Sequence, residues 1–256
     1  MDQSTGRFAG EREALGRLVD RLVASVDRLC FNPPVTAVYD PLSYARASFD
    51  RYLDMSVGTD QVLLVGMNPG PWGMAQTGVP FGEVELVHRW MGIDAPIGHP
   101  PVEHPKRPVL GWECQRSEVS GARLWGWARE RFGTPRAFFE QFMVWNYCPL
   151  VFMEESGKNR TPDKLPAAER SDLFAPCDAA LAGVVDIIEP RMVIGVGAFA
   201  AKKVSAVVGG SVSTGMILHP SPASPIANRG WADQAERQLT DLGVALPGAD
   251  AGSESE

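Results

Sequence analysis

Gln61-Val62-Leu63-Leu64-Val65-Gly66-Met67-Asn68-Pro69-Gly70-Pro71-Trp72-Gly73 is the stretch whose reading decides the fold. Its apolar run, residues 62–65, is too short for a helix of ordinary length and reads as a buried strand. The strand stops where glycines and prolines take over, because that density of both cannot continue a ladder and lets backbone approach a ligand closely. Residues 142–147, 192–196 and 213–218 are further strand candidates. Helical stretches fall between and after them, at 83–91, 120–132, 169–189, 198–207 and 230–242. Strands alternating with helices predict an α/β fold, a three-layer α/β/α sandwich around a central, mainly parallel four-stranded sheet. Ligands in such sheets bind beyond the carboxyl ends of the strands, near the switch in strand order, so the loops after strands are where chemistry belongs.

Towards the amino terminus, Leu15, Leu18, Val19, Leu22, Val23, Val26 and Leu29 recur at spacings of three and four, one face of an amphipathic helix that ends near Asn32-Pro33-Pro34. Residues 94–114 are rich in Pro and Gly and read as a long surface loop. Residues 1–246 form a single domain in this reading, and 247–256, small and acidic, form a disordered tail. There is no internal repeat.

With 256 residues, 45% of them hydrophobic, the chain can bury a full core. No apolar run approaches the ~20 residues of a membrane span, and the polar start lacks a secretory signal, so a soluble, intracellular protein without a membrane partner is expected; a monomer is expected as well. Cys30, Cys114, Cys148 and Cys177 are dispersed rather than paired locally, which argues for buried reduced thiols and against zinc or iron–sulfur sites. Neither metal nor cofactor is expected. A net charge of −7 argues against broad, charge-driven binding of nucleic acid. It leaves room for a local cationic surface, with Lys106-Arg107, Lys158 and Arg160, Lys202-Lys203 and Arg229 as its candidate pieces.

Two motifs carry no chemistry. Gly195-Val196-Gly197-Ala198-Phe199-Ala200 fits a loose dinucleotide fingerprint, but no acidic partner for a ribose stands about twenty residues on; small residues allowing close strand-to-helix packing is the better reading. Asn159-Arg160-Thr161 fits a glycosylation acceptor only in a secreted protein.

Three polar residues stand at predicted strand ends: Asn68, Asn146 and His219. Each has a plain structural alternative, since Asn before Pro forms turns readily and a lone histidine is often a hydrogen-bonded rim residue. Position alone makes them a plausible pocket and goes no further.

Residues 66–84, together with His219-Pro220-Ser221-Pro222, resemble the two motifs of the single-strand-selective monofunctional uracil-DNA glycosylases, a family of the uracil-DNA glycosylase superfamily. Between them, Glu103-His104-Pro105-Lys106-Arg107-Pro108-Val109-Leu110-Gly111, Ser117-Glu118-Val119-Ser120-Gly121-Ala122-Arg123 and Asn146-Tyr147-Cys148-Pro149-Leu150 agree in order, and the likeness covers roughly 55–242.

The resemblance implies a monofunctional glycosylase of base excision repair. It would hydrolyse the bond between sugar and uracil, or C5-substituted uracils such as 5-hydroxymethyluracil, in single- and double-stranded DNA. Asn68 would position water and His219 would donate to the departing base. Met67, Gly70, Met74, Phe81 and Asn146 would shape the base pocket, Phe81 by stacking and Asn146 by bonding the pairing edge. Lys106, Arg107 and the loop residues Ser221, Pro222, Ala223, Ser224, Pro225, Asn228 and Arg229 would face DNA, the loop entering the helix to expel the nucleotide. Ala223 stands where vertebrate members generally carry arginine, so Ser224, Pro225 or Asn228 would contribute more there. A mismatch-directed uracil/thymine glycosylase shares the Gly-x-Asn-Pro-Gly loop, and a non-catalytic DNA- or nucleotide-binding module could use the same fold; excision from single strands and release of free base separate these from the main reading.

Overall fold

The computed structural model describes residues 3–248. In chain order, α1 (Gln3–Val26), β1 (Val35–Tyr39), α2 (Pro41–Tyr44) and α3 (Arg46–Ser56) precede the decisive strand, β2 (Val62–Gly66). After it come α4 (Met74–Thr77), α5 (Val119–Phe132), α6 (Pro135–Phe139), β3 (Phe142–Asn146), β4 (Val151–Glu154) and β5 (Asn159–Arg160). The chain finishes with α7 (Ala167–Ile188), β6 (Met192–Val196), α8 (Ala198–Val208), β7 (Ser213–Ile217) and α9 (Trp231–Asp241).

The main sheet has the order β3-β2-β6-β7 with every pair parallel. All five residues of β2 and of β3 are buried, as a strand covered on both faces requires. From β2 the chain moves outward to β3 and then crosses back to β6 and β7, so the order reverses beside β2. One helical layer joins α1 to α7 and α7 to α8; the other joins α5 to α6 and α9. Small residues set these distances. A Cβ at Gly195 would lie 2.1 Å from the Ala201 nitrogen, and one at Gly183 would lie 2.5 Å from Leu18. The Gly195-Val196-Gly197 segment is therefore a packing device where β6 meets α8.

The four expected strands are present to within a residue or two. A second sheet was not foreseen: β1 pairs antiparallel with β4, and β4 with β5. Its strands have four or five residues and fewer, and β1 follows Pro33-Pro34, so the sequence shows little periodicity to read. The sheet matters because Tyr39, at the end of β1, anchors a distant loop: its hydroxyl donates to the Arg107 carbonyl at 2.7 Å and accepts from the His104 amide at 2.7 Å.

Three further expectations are corrected. Residues 94–114 are irregular but not merely superficial, since Ala95, His104, Val109 and Cys114 are buried. The expected helix at 83–91 is largely a wide turn over Leu86–Trp90, closed by the Met91 amide on the Leu86 carbonyl. The first helix ends at Val26, before the predicted stop. Conversely α7 runs through Pro176 without ending, held by its buried face of Leu173, Cys177, Leu181 and Val184.

All four cysteines are free; Cys30 is exposed and the other three are buried. Among the described residues no helix is long and apolar enough to cross a membrane. Of the predicted tail, residues 249–256 lie outside the described residues.

Candidate active site

Because the sheet is parallel, every strand delivers its following residue to the same edge. Asn146 is the last residue of β3, Asn68 lies two beyond β2, Gly197 follows β6, and His219 lies two beyond β7. With strands ~4.8 Å apart, the ends of β2 and β7 are about 10 Å from one another. The three polar candidates thus share one rim.

Asn68 is held by its amide nitrogen, which donates to the Leu150 carbonyl at 3.1 Å and the Pro69 carbonyl at 3.3 Å. Carbonyls only accept, so the NH₂ must face them and Oδ1 is left as the acceptor for a ligand. An amide oxygen can orient a water but does not take up its proton readily.

The floor between Asn68 and its neighbours is bare backbone. A Cβ at Gly66 would lie 2.4 Å from the Phe81 ring and 2.5 Å from Asn146 Oδ1. Phe81 reaches this place with φ of 55°, a left-handed conformation unusual for a bulky side chain. Its surroundings impose it: Trp125 donates to the Pro80 carbonyl at 3.1 Å, and the Phe81 carbonyl faces Gly121, where any Cβ would stand 2.0 Å away. Asn146 is buried, and its Nδ2 donates to the Met74 sulfur at 3.3 Å. Behind Met74 and Asn146, against Pro80 and Trp145, is a cavity of about 10 Å³, room for roughly one water. Met67 is half-buried, and its carbonyl extends the β2–β3 ladder to the Cys148 amide. The Gly70 carbonyl accepts from the Gly73 and Ala75 amides, which closes the loop before α4.

His219 faces Phe81 with ring centroids 5.8 Å apart and planes at 41°. Its neighbour Leu218 is pinned twice from α9, its amide donating to Gln238 and its carbonyl accepting from Trp231. A Cβ at Gly197 would lie 3.0 Å from His219 Cβ, so glycine there is what admits the imidazole. Burial pushes the imidazole down to about 4, leaving it neutral near pH 7. No described residue hydrogen-bonds its ring nitrogens. One of them carries a proton to donate.

A segment that composition could not single out ties these loops together. At the start of α5, the Glu118 carboxylate lies against Gly70, where a Cβ would be 2.5 Å from Oε2; burial raises its pKa, opposed by the Ser120 amide. Gly121 admits the Phe81 carbonyl. Arg123 donates to the carbonyls of Pro220 (3.1 Å) and Ser221 (3.3 Å) and to Asn228 Oδ1 (2.8 Å). One stretch therefore braces both the Asn68 loop and the His219 loop.

Within residues 220–230 the polar side chains serve the loop itself. Ser221 accepts from the Ala223 amide, Ser224 from the Ala227 amide, and Asn228 donates to the Pro222 carbonyl. Pro222, Ala223, Pro225 and Arg229 are exposed. So is Ile226, at 54%, an apolar side chain in this loop that the sequence reading passed over. Its signal was available: a lone β-branched residue in a Pro/Ser/Asn turn.

The basic candidates separate. Lys106 and Lys158 are exposed, and Arg107 is half-buried. Arg160 is committed to Glu154 and the Lys164 carbonyl, and Lys203 turns inward to Asp178 over the Phe174 ring, so neither joins a free patch. Asn159 donates to the Pro69 carbonyl, a structural task for the glycosylation-like motif. Among the described residues no cluster of His, Cys, Asp and Glu is arranged to hold a metal ion.

The chain is also similar to known proteins in sequence and in fold. Residues 56–241 match the family profile of the uracil DNA glycosylase superfamily. The chain is 47% identical over 237 residues to a single-strand selective monofunctional uracil DNA glycosylase of Mus musculus, covering 91% of this chain and 85% of that one. A single-strand selective monofunctional uracil DNA glycosylase of Bos taurus is 48% identical over 231 residues, covering 88% and 84%. In fold, the chain is similar to the crystal structure of Pedobacter heparinus SMUG2, with a TM-score of 0.62 at 15% identity, covering 88% of this chain and 97% of that one.

Proposed function

Since the chain belongs to the single-strand selective monofunctional uracil-DNA glycosylases of the uracil DNA glycosylase superfamily, it is a uracil-DNA glycosylase of base excision repair, and we propose that Asn68, His219, Phe81 and Asn146 carry its reaction. The observation that carries the assignment is Phe81, whose ring meets both Gly66, beside Asn146, and His219. An extruded pyrimidine stacked on that ring has its pairing edge at Asn146 and a carbonyl oxygen at His219. Extrusion costs a few kcal/mol, and stacking returns roughly 1–3 kcal/mol of it.

The C1′–N1 bond breaks with its electron pair leaving on the base, and the sugar becomes cation-like. A neutral His219 donates its N–H to the developing negative oxygen, a preorganised donor typically worth about 10²–10³ in rate. Water held by Asn68 Oδ1 then adds to C1′ and gives its proton to solvent, which leaves an abasic site. Asn68 is no base, so leaving-group stabilisation is the larger share. Orientation of the Asn146 NH₂ toward Met74, beside the C5 position, turns a donor to uracil O4 and refuses the cytosine amino group. Met74 and Gly70 shape the space by the C5 position, and the family resemblance is what supports acceptance of modest C5 substituents such as hydroxymethyl. Side chains and water fill every role, so neither metal nor cofactor enters. Met67 borders this pocket, while Lys106, Arg107, Ser221, Pro222, Ala223, Ser224, Pro225, Asn228 and Arg229 contact single- or double-stranded DNA. The enzyme acts as an intracellular monomer.

The test is to incubate purified protein with labelled oligonucleotides bearing U, 5-hydroxymethyl-U, T or C, single-stranded and duplex, and to cleave abasic sites with alkali. Cleavage at U and 5-hydroxymethyl-U but not at C is expected, with Asn68→Ala and His219→Ala each losing most of it. Full excision by either folded variant removes that residue from the mechanism; uracil binding without release of free base favours a non-catalytic module.

A further inference from the structure

We propose that Trp72, Arg107 and Arg116 form a phosphodiester-binding clamp that grips the DNA strand beside the excised nucleotide. The proposal rests on the glycosylase reading and adds to it a site built from three separate segments. The Arg107 and Arg116 guanidinium carbons lie 5.2 Å and 4.8 Å from the centroid of one indole, that of Trp72. In a chain of net charge −7, neither arginine has a carboxylate partner among the described residues, whereas nearby Arg160 and Lys164 do. Two unneutralised cations gathered on one ring repel each other. An anion between or upon them relieves that repulsion, and a phosphate oxygen accepts from guanidinium in a matched geometry.

The clamp is bolted to the catalytic loop. Gln76, fully buried, donates to the Pro71 and Pro108 carbonyls and accepts from the Leu110 and Gly111 amides, so all its polar capacity joins Trp72's loop to Arg107's. Tyr39 fixes the Arg107 carbonyl from beneath, and the Arg107 guanidinium is backed by Gly157, where a Cβ would stand 3.4 Å away. Arg107 Nε is buried without an acceptor and Nη1 donates to the Lys106 carbonyl at 2.8 Å, which leaves Nη2 as the group open to a ligand. Trp72 follows Asn68 by four residues, so chain length alone keeps their Cα atoms within about 14 Å. That span reaches phosphates only a few nucleotides from the excised base. The indole's part is to hold two long side chains in place, reducing the entropy lost on binding.

The clamp is tested with a fluorescent single-stranded oligonucleotide carrying a tetrahydrofuran abasic analogue, its Kd measured by anisotropy between about 50 and 200 mM salt. Each phosphate contact contributes roughly 0.7 to the slope of log affinity against log salt on a single strand. Arg116→Gln, an exposed position that spares the fold, should lower the slope by about that amount and weaken binding severalfold; Arg107→Gln should do likewise. Trp72→Leu keeps both charges and should keep the slope while weakening binding. Arg21→Gln, which removes the same charge from the exposed face of α1, is the control. Slopes and Kd values in the three clamp variants equal to those of Arg21→Gln overturn the clamp. Release of free uracil by the unaltered protein from a uracil-bearing strand is measured in parallel, so a failure of the glycosylase reading is seen there and not in the binding data.

Discussion

Phe81 and His219 meet ring to ring, with centroids 5.8 Å apart, although 138 residues separate them in the chain. The contact depends on Phe81 holding a left-handed backbone and on glycine at positions 66, 121 and 197, each of which would otherwise project a Cβ into the assembly. Strain of this kind persists only where packing over-determines it, and such sites concentrate where ligands act.

Gly66→Ala tests that floor. A methyl group 2.4 Å from the Phe81 ring and 2.5 Å from Asn146 Oδ1 must displace one of them. The variant should fold with a destabilisation of roughly 1–3 kcal/mol, read by thermal melting. Its kcat/KM for uracil in a single strand should fall by at least ~10²-fold, the cost expected of misplacing reacting groups by about 1 Å.

Arg123 should matter as much as residues that touch the base. Hydrogen bonds from a charged donor contribute about 1.5–3 kcal/mol each, and Arg123 makes three to the loop that carries His219. Arg123→Met should lower single-turnover excision about 10–100-fold. Arg123→Lys should recover little, since one ammonium cannot reproduce a planar fork across three acceptors. Full recovery by lysine would show that only the charge matters.

Ile226 is the longest exposed apolar side chain available to enter a helix from this loop, beside Pro222 and Pro225, since Ala223 is short and Asn228 is spent on Arg123 and Pro222. Apolar wedges unstack base steps at a cost of a few kcal/mol repaid by the extruded state. Ile226→Ala should therefore reduce uracil excision from duplex by ~10-fold and affect a single strand much less, where no stack must be opened. Equal losses on both substrates would place Ile226 outside the opening step.

The histidine makes a prediction in pH. Burial lowers His219 to about 4 from the ordinary ~6.5, so the folded state binds fewer protons than the unfolded chain between those values. Its contribution to stability is present above ~6.5 and is lost as pH falls through that window toward 4. Excision should show no histidine limb near 6.5 and should decline only as pH approaches 4. His219→Asn should flatten the dependence of the melting temperature on pH across that range. An unaltered slope in His219→Asn would mean that the imidazole is not buried in solution.

Much of this molecule could be read along the chain. The four strands of the main sheet announce themselves by short apolar runs, and Asn68, Asn146 and His219 stand where those runs end. A parallel sheet sends all its carboxyl ends to one edge, so strand order need not be known to expect them together. Arg123, Glu118 and the Trp72 group were not legible in the same way, because their significance lies in contacts with residues far off in sequence. The small sheet of β1, β4 and β5 also escaped notice, its strands being too short to show a period.

Periodic burial is written locally, in side chains two or three to four residues apart, and that is why the sequence alone determined the layered fold and the rim on which the polar residues stand. The tertiary structure alone decided which loops brace which. Those choices depend on backbones brought within a few ångströms, on glycines that permit the approach, and on buried donors such as Gln76 and Arg123 that must find acceptors across the fold.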